Sequence, residues 1–132
     1  MKKIISTLLI CVLLIGCVAV LAACGAPSSD PKEAKANLEE EGYTVELREN
    51  VDGYAATLYA YKNNVNQKKF DEIYIYYFKD SAAANKAWEK TIKNEVESAK
   101  KRAAKEEMEL ISERQGKVIY YGTQDAIDVA FN

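Results

Sequence analysis

Three consecutive segments with an apolar–polar alternation restrict the fold of this 132-residue chain more than any other feature. They cover residues 43–48, 54–61 and 70–78, and their apolar positions hold mostly tyrosine, isoleucine, leucine, valine and alanine. A two-residue period is that of β-strands, whose successive side chains point to opposite faces. Only a turn at residues 50–53 and a polar loop at residues 63–67 separate the segments. Because connections this short join antiparallel neighbours, the pattern predicts an antiparallel meander.

A helix is predicted on each side of this meander. Asp30 can cap the first helix, Pro31 suits its first position, and Gly42 provides the left-handed residue that ends it. The second and longer helix begins at Asp80 or Ser81. Apolar residues recur along it at spacings of three and four, and this stripe comprises Ala84, Ala87, Trp88, Ile92, Val96, Ala99 and Ala103.

The carboxyl-terminal part of the chain contains a predicted hairpin and a short helix. A turn at residues 115–117 precedes the strand-like residues 118–122, and the hairpin needs a partner strand before the turn. We therefore assign Met108 to Glu113 as that strand, although this segment could also continue the long helix. Thr123 can cap a last helix over residues 124–130.

The predicted order of elements is α-β-β-β-α-β-β-α, which does not interleave helices with parallel strands. It predicts an α+β fold in which helices pack on one face of an antiparallel sheet of about five strands. We expect the long helix to cross this sheet with Trp88 as its main anchor, because Ala56 and Ala60 are small enough to permit a close approach.

The first residues have the composition of an export signal. Lys2 and Lys3 form a positive start, and residues 4–23 are almost entirely apolar. Such a run has the length of a membrane-spanning helix, and it also has the plan of a secretory signal peptide.

The end of the apolar run favours the signal peptide over an uncleaved anchor helix. Leu21, Ala22, Ala23 and Cys24 precede Gly25, and together they resemble the lipobox of bacterial lipoproteins at every position. The resemblance implies cleavage between Ala23 and Cys24 and a diacylglyceryl group on the Cys24 thiol, with fatty acids such as palmitate. In many members of the family the new amino group is acylated too, and two or three acyl chains anchor a protein stably where one does not.

This interpretation divides the chain into three parts. Residues 1–23 are the predicted signal peptide, residues 24–30 the lipidated cysteine and a short tether, and residues 31–132 a single α+β domain. The domain is expected on the extracytoplasmic face of the cell membrane. It resembles small lipoproteins of unassigned role in Gram-positive bacteria, and the lysine-rich composition points to a low-GC Gram-positive host.

Charge and composition exclude several classes of function for the exported part. Loss of Lys2 and Lys3 moves the formal charge from −2 to −4, so nucleic acid is not an expected partner. The chain has no histidine, which removes the most common general base and metal ligand. No cysteine follows Cys24, so packing alone must stabilise the domain. We therefore expect no metal and no cofactor.

The tyrosines form the most unusual candidate site. If Leu58 and its neighbours on the strands face the helices, Tyr59, Tyr61, Tyr74 and Tyr76 face the other way and could form a binding surface for sugars, peptides or proteins. Two other interpretations remain open. Tyrosine is a common residue of solvated strands, and the first or last helix could cover this face.

Charged clusters offer weaker candidates. The basic cluster Lys100, Lys101, Arg102 and Lys105 could contact anionic lipids, but acidic neighbours favour ion pairs on a solvated helix face. The acidic residues at 39–41 and 71–72 lack the spacing of a calcium loop and are interpreted as surface acids. We identify no catalytic residue.

These observations favour a non-catalytic binding or interaction module at the cell surface. Its expected partners are the membrane, through lipid on Cys24, and a cell-wall glycan or a surface protein. Two alternatives remain: a small cell-envelope hydrolase that uses carboxylates, and a structural accessory of a membrane complex.

Overall fold

The computed structural model describes residues 30–65 and 69–132, and it confirms the predicted α+β fold and the order of its elements. The predicted signal peptide, Ala23, Cys24 and part of the predicted polar loop lie outside the described residues. The elements are α1 (Pro31–Glu40), β1 (Thr44–Val51), β2 (Tyr54–Asn64), β3 (Lys69–Tyr77), α2 (81–105), β4 (Ile111–Gln115), β5 (Val118–Gly122) and α3 (Gln124–Ala130).

The five strands form one antiparallel sheet in the order β1-β2-β3-β5-β4. The first three strands are the predicted meander, with Leu58 of β2 opposite Ile75 of β3. After α2, the second hairpin returns so that β5 pairs with β3, which places Tyr121 opposite Tyr74. Strands β1 and β4 therefore form the two edges of the sheet.

One face of the sheet is covered by the two short helices. Ala34 and Leu38 of α1 are fully buried in the same cluster as Ala126 and Ala130 of α3. The strand residues buried in this cluster are Ala56, Leu58, Ala60, Ile73, Ile75, Tyr77, Val118 and Tyr120. Asn37 also joins the two helices, because its side-chain amide donates a hydrogen bond to the Ala130 carbonyl at 3.2 Å.

The opposite face is covered by α2, so the prediction that the helices pack on one face is wrong. The buried residues of this second cluster are Phe78, Ala84, Ile92, Val96, Ala99, Ala103, Leu110, Ile119 and Tyr121. Ala56 and Ala60 belong to the other cluster, so α2 does not pack against them as predicted. The physical reason is that both faces of β2 and β3 are apolar or aromatic, so each face needs a covering layer.

Helix α2 is continuous but contains a π-helical turn, Trp88–Ile92, between α-helical segments. Asp80 caps its start, because its carboxylate accepts a hydrogen bond from the Ala83 amide at 2.7 Å. Ile92 is fully buried under the helix, whereas Trp88 is only half-buried and the Arg114 guanidinium lies 4.8 Å from its ring centroid. Ile92 is therefore more deeply buried than the predicted anchor, Trp88.

The segment after α2 is a strand, as assigned, but it begins later than predicted. Residues 106 and 107 form a turn, with Glu107 at a φ of 56°, and β4 starts at Ile111. Leu110 is buried just before it. Within residues 30–65 and 69–132, no helix combines the length and apolar composition that crossing a bilayer requires.

The sheet has two distinct ends. The hairpin end carries the β1–β2 turn at Asp52 and Gly53, the β4–β5 turn and the start of α1. The pKa of Tyr77 is raised first by burial and then by the charge of Asp30. Asp30 is therefore close to Tyr77, and the start of α1 lies beside the end of β3. The loop end lies about 27 Å away along β3. There the Lys62 ammonium donates to the Glu41 carbonyl at 2.6 Å, just beyond the end of α1.

Gly122 is required where β5 meets β3. A Cβ atom at this position would lie 2.3 Å from the Glu72 carbonyl oxygen and 2.8 Å from the Ile73 Cα, and neither backbone atom can rotate away. We expect Gly122→Ala to lower the free energy of unfolding by at least about 3 kcal/mol, as measured by chemical denaturation of the full chain.

Gly53→Ala is the control for this prediction. Its added Cβ meets nothing within 4 Å, and only the φ of +83° opposes an alanine. The expected cost is about 1 to 2 kcal/mol. A loss at Gly122 no larger than the loss at Gly53 would contradict the packing described here.

Candidate functional site

Aromatic rings form a continuous row across the α2 side of the sheet. We call the following rings, in spatial order, the tyrosine row: Phe70, Tyr61, Tyr59, Tyr74, Tyr121, Tyr76, Tyr54 and Phe78. The shortest centroid distances join Tyr59 to Tyr74 at 4.3 Å and Tyr74 to Tyr121 at 4.9 Å. The row arises because the register aligns tyrosines on β2, β3 and β5.

Helix α2 covers one half of the tyrosine row. Tyr121 is 4% exposed and belongs to the same buried cluster as Val96 and Ala99 of the helix. The Tyr76 hydroxyl donates a hydrogen bond to the Glu95 carboxylate at 2.9 Å. Tyr121 is therefore part of the core, whereas Tyr76 is half-buried.

The other half of the row is open. Tyr61 is 37% exposed, and beside Tyr59 and Tyr74 lies a groove of about 280 Å³. Glu46 and Arg48 of β1 also line this groove, and they form an exposed ion pair with an N–O distance of 2.6 Å. We call this feature the tyrosine groove.

A second cavity of about 280 Å³ lies on the α2 side of the same two rings. Tyr59 and Tyr74 line both cavities. The second cavity also contains Glu72 of β3 with Arg102 and Glu106 from the end of α2. Burial raises the pKa of Glu72, the nearby Arg102 charge lowers it, and Glu106 raises it further.

Stacking determines which part of each ring a ligand could reach. Tyr74 lies between Tyr59 of β2 and Tyr121 of β5, with interplanar angles of 28° and 15°. Both faces of the Tyr74 ring are therefore occupied, and one face of Tyr59 is occupied as well. These rings have edges and hydroxyl groups left for a ligand, while their flat faces are largely used within the protein.

Three hydroxyl groups of the row, those of Tyr59, Tyr76 and Tyr121, stay neutral over a wide pH range. Burial raises the pKa of Tyr121 to about 12, and it raises the pKa of Tyr76 further still, with contributions from Tyr121 and Glu95. Burial also raises the pKa of Tyr59, with a contribution from Tyr74. A neutral phenol both donates and accepts hydrogen bonds, so Tyr59 and Tyr76 offer neutral polar contacts in the groove.

The structure brings the four predicted tyrosines to one side of the sheet. Tyr74 and Tyr76 pack against the buried cluster that includes α2, whereas Tyr61 is exposed. Tyr59, Tyr74 and Tyr76 all line the tyrosine groove. The helix that packs on this face is α2, and not the first or last helix, which was the alternative left open by the sequence.

The acidic residues at 71 and 72 are not surface acids, so that interpretation is wrong for this pair. Asp71 is buried at 7% exposure, and Glu72 is half-buried on the opposite face of the sheet. The two-residue period of β3 indicated the burial of Asp71, because Asp71 lies on the same face of the strand as the buried Ile73 and Ile75. Of the predicted basic cluster, only Arg102 lines one of the two cavities described above.

A metal site finds no support in the described part of the chain. In residues 30–65 and 69–132, no three histidine, cysteine, aspartate or glutamate side chains are grouped closely enough to hold a metal ion. Protein-family models, curated proteins and solved structures give no significant match to this chain.

The buried tyrosines predict a loss of stability at high pH. Burial raises the pKa of Tyr43 and of Tyr121 from the ordinary 10.0 to about 12. An unfolded chain loses these protons near pH 10, whereas the folded chain keeps them until about pH 12. The stabilisation is fully present below pH 10 and is lost as the pH rises to 12.

Denaturation at a series of pH values in this window measures the effect. We expect Tyr121→Phe to show a shallower decline of the free energy of unfolding than the parent chain, because one titrating group is gone. Stability that does not change across the window would contradict the burial of these hydroxyl groups.

Proposed function

We propose that this protein is a lipid-anchored, extracytoplasmic binding protein whose tyrosine groove holds a segment of another surface protein. The observation that carries the proposal is the half-covered tyrosine row. Helix α2 covers Tyr121, while Tyr59, Tyr74 and Tyr76 line a groove. Tyr61 is exposed. Aromatic side chains of this kind supply much of the binding energy at protein interfaces.

A protein segment suits the groove better than a glycan. Sugar rings bind to the open faces of aromatic rings, but stacking occupies both faces of Tyr74 and one face of Tyr59. The groove instead offers ring edges, neutral hydroxyls and the ion pair of Glu46 and Arg48. Such a mixture matches the amides, apolar side chains and charges of a polypeptide.

The tether gives the domain an orientation on the membrane. Residues 25–30 separate Cys24 from α1 and reach at most about 21 Å when fully extended. Because α1 starts at the hairpin end, that end would lie near the lipid and the loop end would point away from it. The tyrosine groove opens between these ends, along the side of the sheet.

Removal of two hydroxyl groups tests the groove. We expect the double variant Tyr59→Phe with Tyr74→Phe to bind its partner about tenfold more weakly, because two hydrogen bonds are lost. The measurement is the amount of surface protein crosslinked to the full lipidated chain in membranes of the producing cell. Fragments of cell-wall glycan should not compete with this crosslinking.

Tyr120→Phe is the matched control, because it removes a hydroxyl on the face covered by α1 and α3. It should leave the crosslinking unchanged. Equal crosslinking by the double variant and the parent chain, or competition by the glycan fragments, would contradict the proposed groove and its ligand.

The anchor has a separate test. We expect the native protein to begin at Cys24 and to carry acyl chains, as measured by mass spectrometry, and to fractionate with the membrane. Cys24→Ser should move the protein out of the membrane fraction as an unacylated chain. A native protein that retains its starting methionine and lacks acyl groups would refute the lipid anchor.

A further inference from the structure

A third cavity lies at the loop end of the sheet, away from the start of α1. Its volume is about 400 Å³, and it lies between the start of β3, the turn after α2 and the start of α3. The charged residues that line it are Lys69, Asp71, Glu106, Glu107, Glu109 and Asp125. We call it the acid pocket.

Asp71 is the buried member of this pocket and lacks a full set of partners. Asp71 is 7% exposed, and its Oδ1 atom has no hydrogen-bond donor among the described residues. The nearest cation is the Lys69 ammonium, 4.0 Å from Oδ1, which is too far for a hydrogen bond. Lys69 donates its hydrogen bond to Asp125 instead.

The polar groups of Thr123, which also lines the pocket, are already engaged. The Thr123 amide donates to the Glu72 carbonyl at 2.9 Å, and the Thr123 hydroxyl accepts from the Glu72 amide at 3.3 Å. A buried carboxylate oxygen without a donor is costly, because it has lost water and gained no replacement. Asp71 therefore lacks a donor that a bound cation could supply.

The charges around the pocket also favour a bound cation, because negative groups outnumber positive ones. Among the described residues, five carboxylates line it against one ammonium, that of Lys69. Their field reaches the neighbouring Tyr43, whose pKa is raised first by burial and then by the charges of Asp71 and Asp125. A concave site with one sign of charge concentrates counter-ions of the other sign.

We propose that the acid pocket binds an alkylammonium group, the group that a lysine side chain carries. An ammonium has three donors and no acceptor, so it complements Asp71 and the surrounding carboxylates. Lys69 already holds the same group against Asp125, and its flexible, half-exposed side chain can move aside to uncover Asp71. A metal ion is less suited, because no three acidic groups in the described residues converge on one point.

This inference goes beyond the proposed function and does not depend on it. The acid pocket shares no tyrosine with the tyrosine groove. A protein that binds lysine at the loop end could do so whether or not the groove holds a partner segment.

The test uses the full chain in neutral detergent micelles and lysine capped at both its α-amino and carboxyl groups. Backbone amide chemical shifts at residues 106–109 and 123–125 report binding. We expect these shifts to saturate with capped lysine, whereas capped norleucine, which has a similar length and no charge, should cause none that saturate.

Two variants remove carboxylates from the pocket, and a third is the control. Asp71→Asn and Asp125→Asn should each weaken capped-lysine binding about tenfold, because a charge-assisted hydrogen bond is lost. Asp52→Asn makes the same charge change at the hairpin end and should alter binding by less than about twofold, because solvent screens distant charges. If Asp71→Asn fails to fold, Asp125→Asn decides the result.

Three results would overturn the proposal: no saturable shift with capped lysine, equal binding of norleucine, or equal weakening by Asp52→Asn. Tighter binding of calcium chloride at the same amides would also overturn it, in favour of a metal site. The double variant Tyr59→Phe with Tyr74→Phe should bind capped lysine normally, so failure of the groove and failure of the pocket can be distinguished.

Discussion

The fold depends on a sheet whose two faces both have to be covered. Strands β2 and β3 carry aliphatic residues on one face and aromatic residues on the other, so neither face can be left entirely to water. The short helices α1 and α3 together cover the aliphatic face. Helix α2 is then the element that covers the aromatic face, and it reaches only the half nearest β5. The open tyrosine groove is a direct consequence of this unequal division.

The sequence predicted the elements better than their arrangement. Alternation located the strands, and Asp80 and Gly42 marked helix boundaries that the structure retains, because caps and two-residue periods are local properties. The choice of face was not local. Ala56 looked suited to receive the long helix, but the same small side chain suits the short helices, and only the complete set of layers decides between them.

The candidate sites follow the same division. The four tyrosines could be assigned to one side of the sheet from parity alone, but the cover over Tyr76 depends on where α2 lies. Asp71 shared the parity of Ile73 and Ile75, so its burial could have been predicted from the extended period of β3. The acid pocket could not be predicted from the sequence. It lies between the turn after α2 and the start of α3, and these segments are neighbours only in the folded chain.

Chemical modification of individual tyrosines tests the unequal cover of the aromatic face most directly. Brief nitration of the full chain, followed by mass spectrometry, measures how fast each ring reacts. Tyr61, at 37% exposure, should be modified first, whereas Tyr121, at 4%, should be modified only when the protein unfolds. Equal rates at Tyr61 and Tyr121 in the folded protein would contradict the position of α2 and with it the groove.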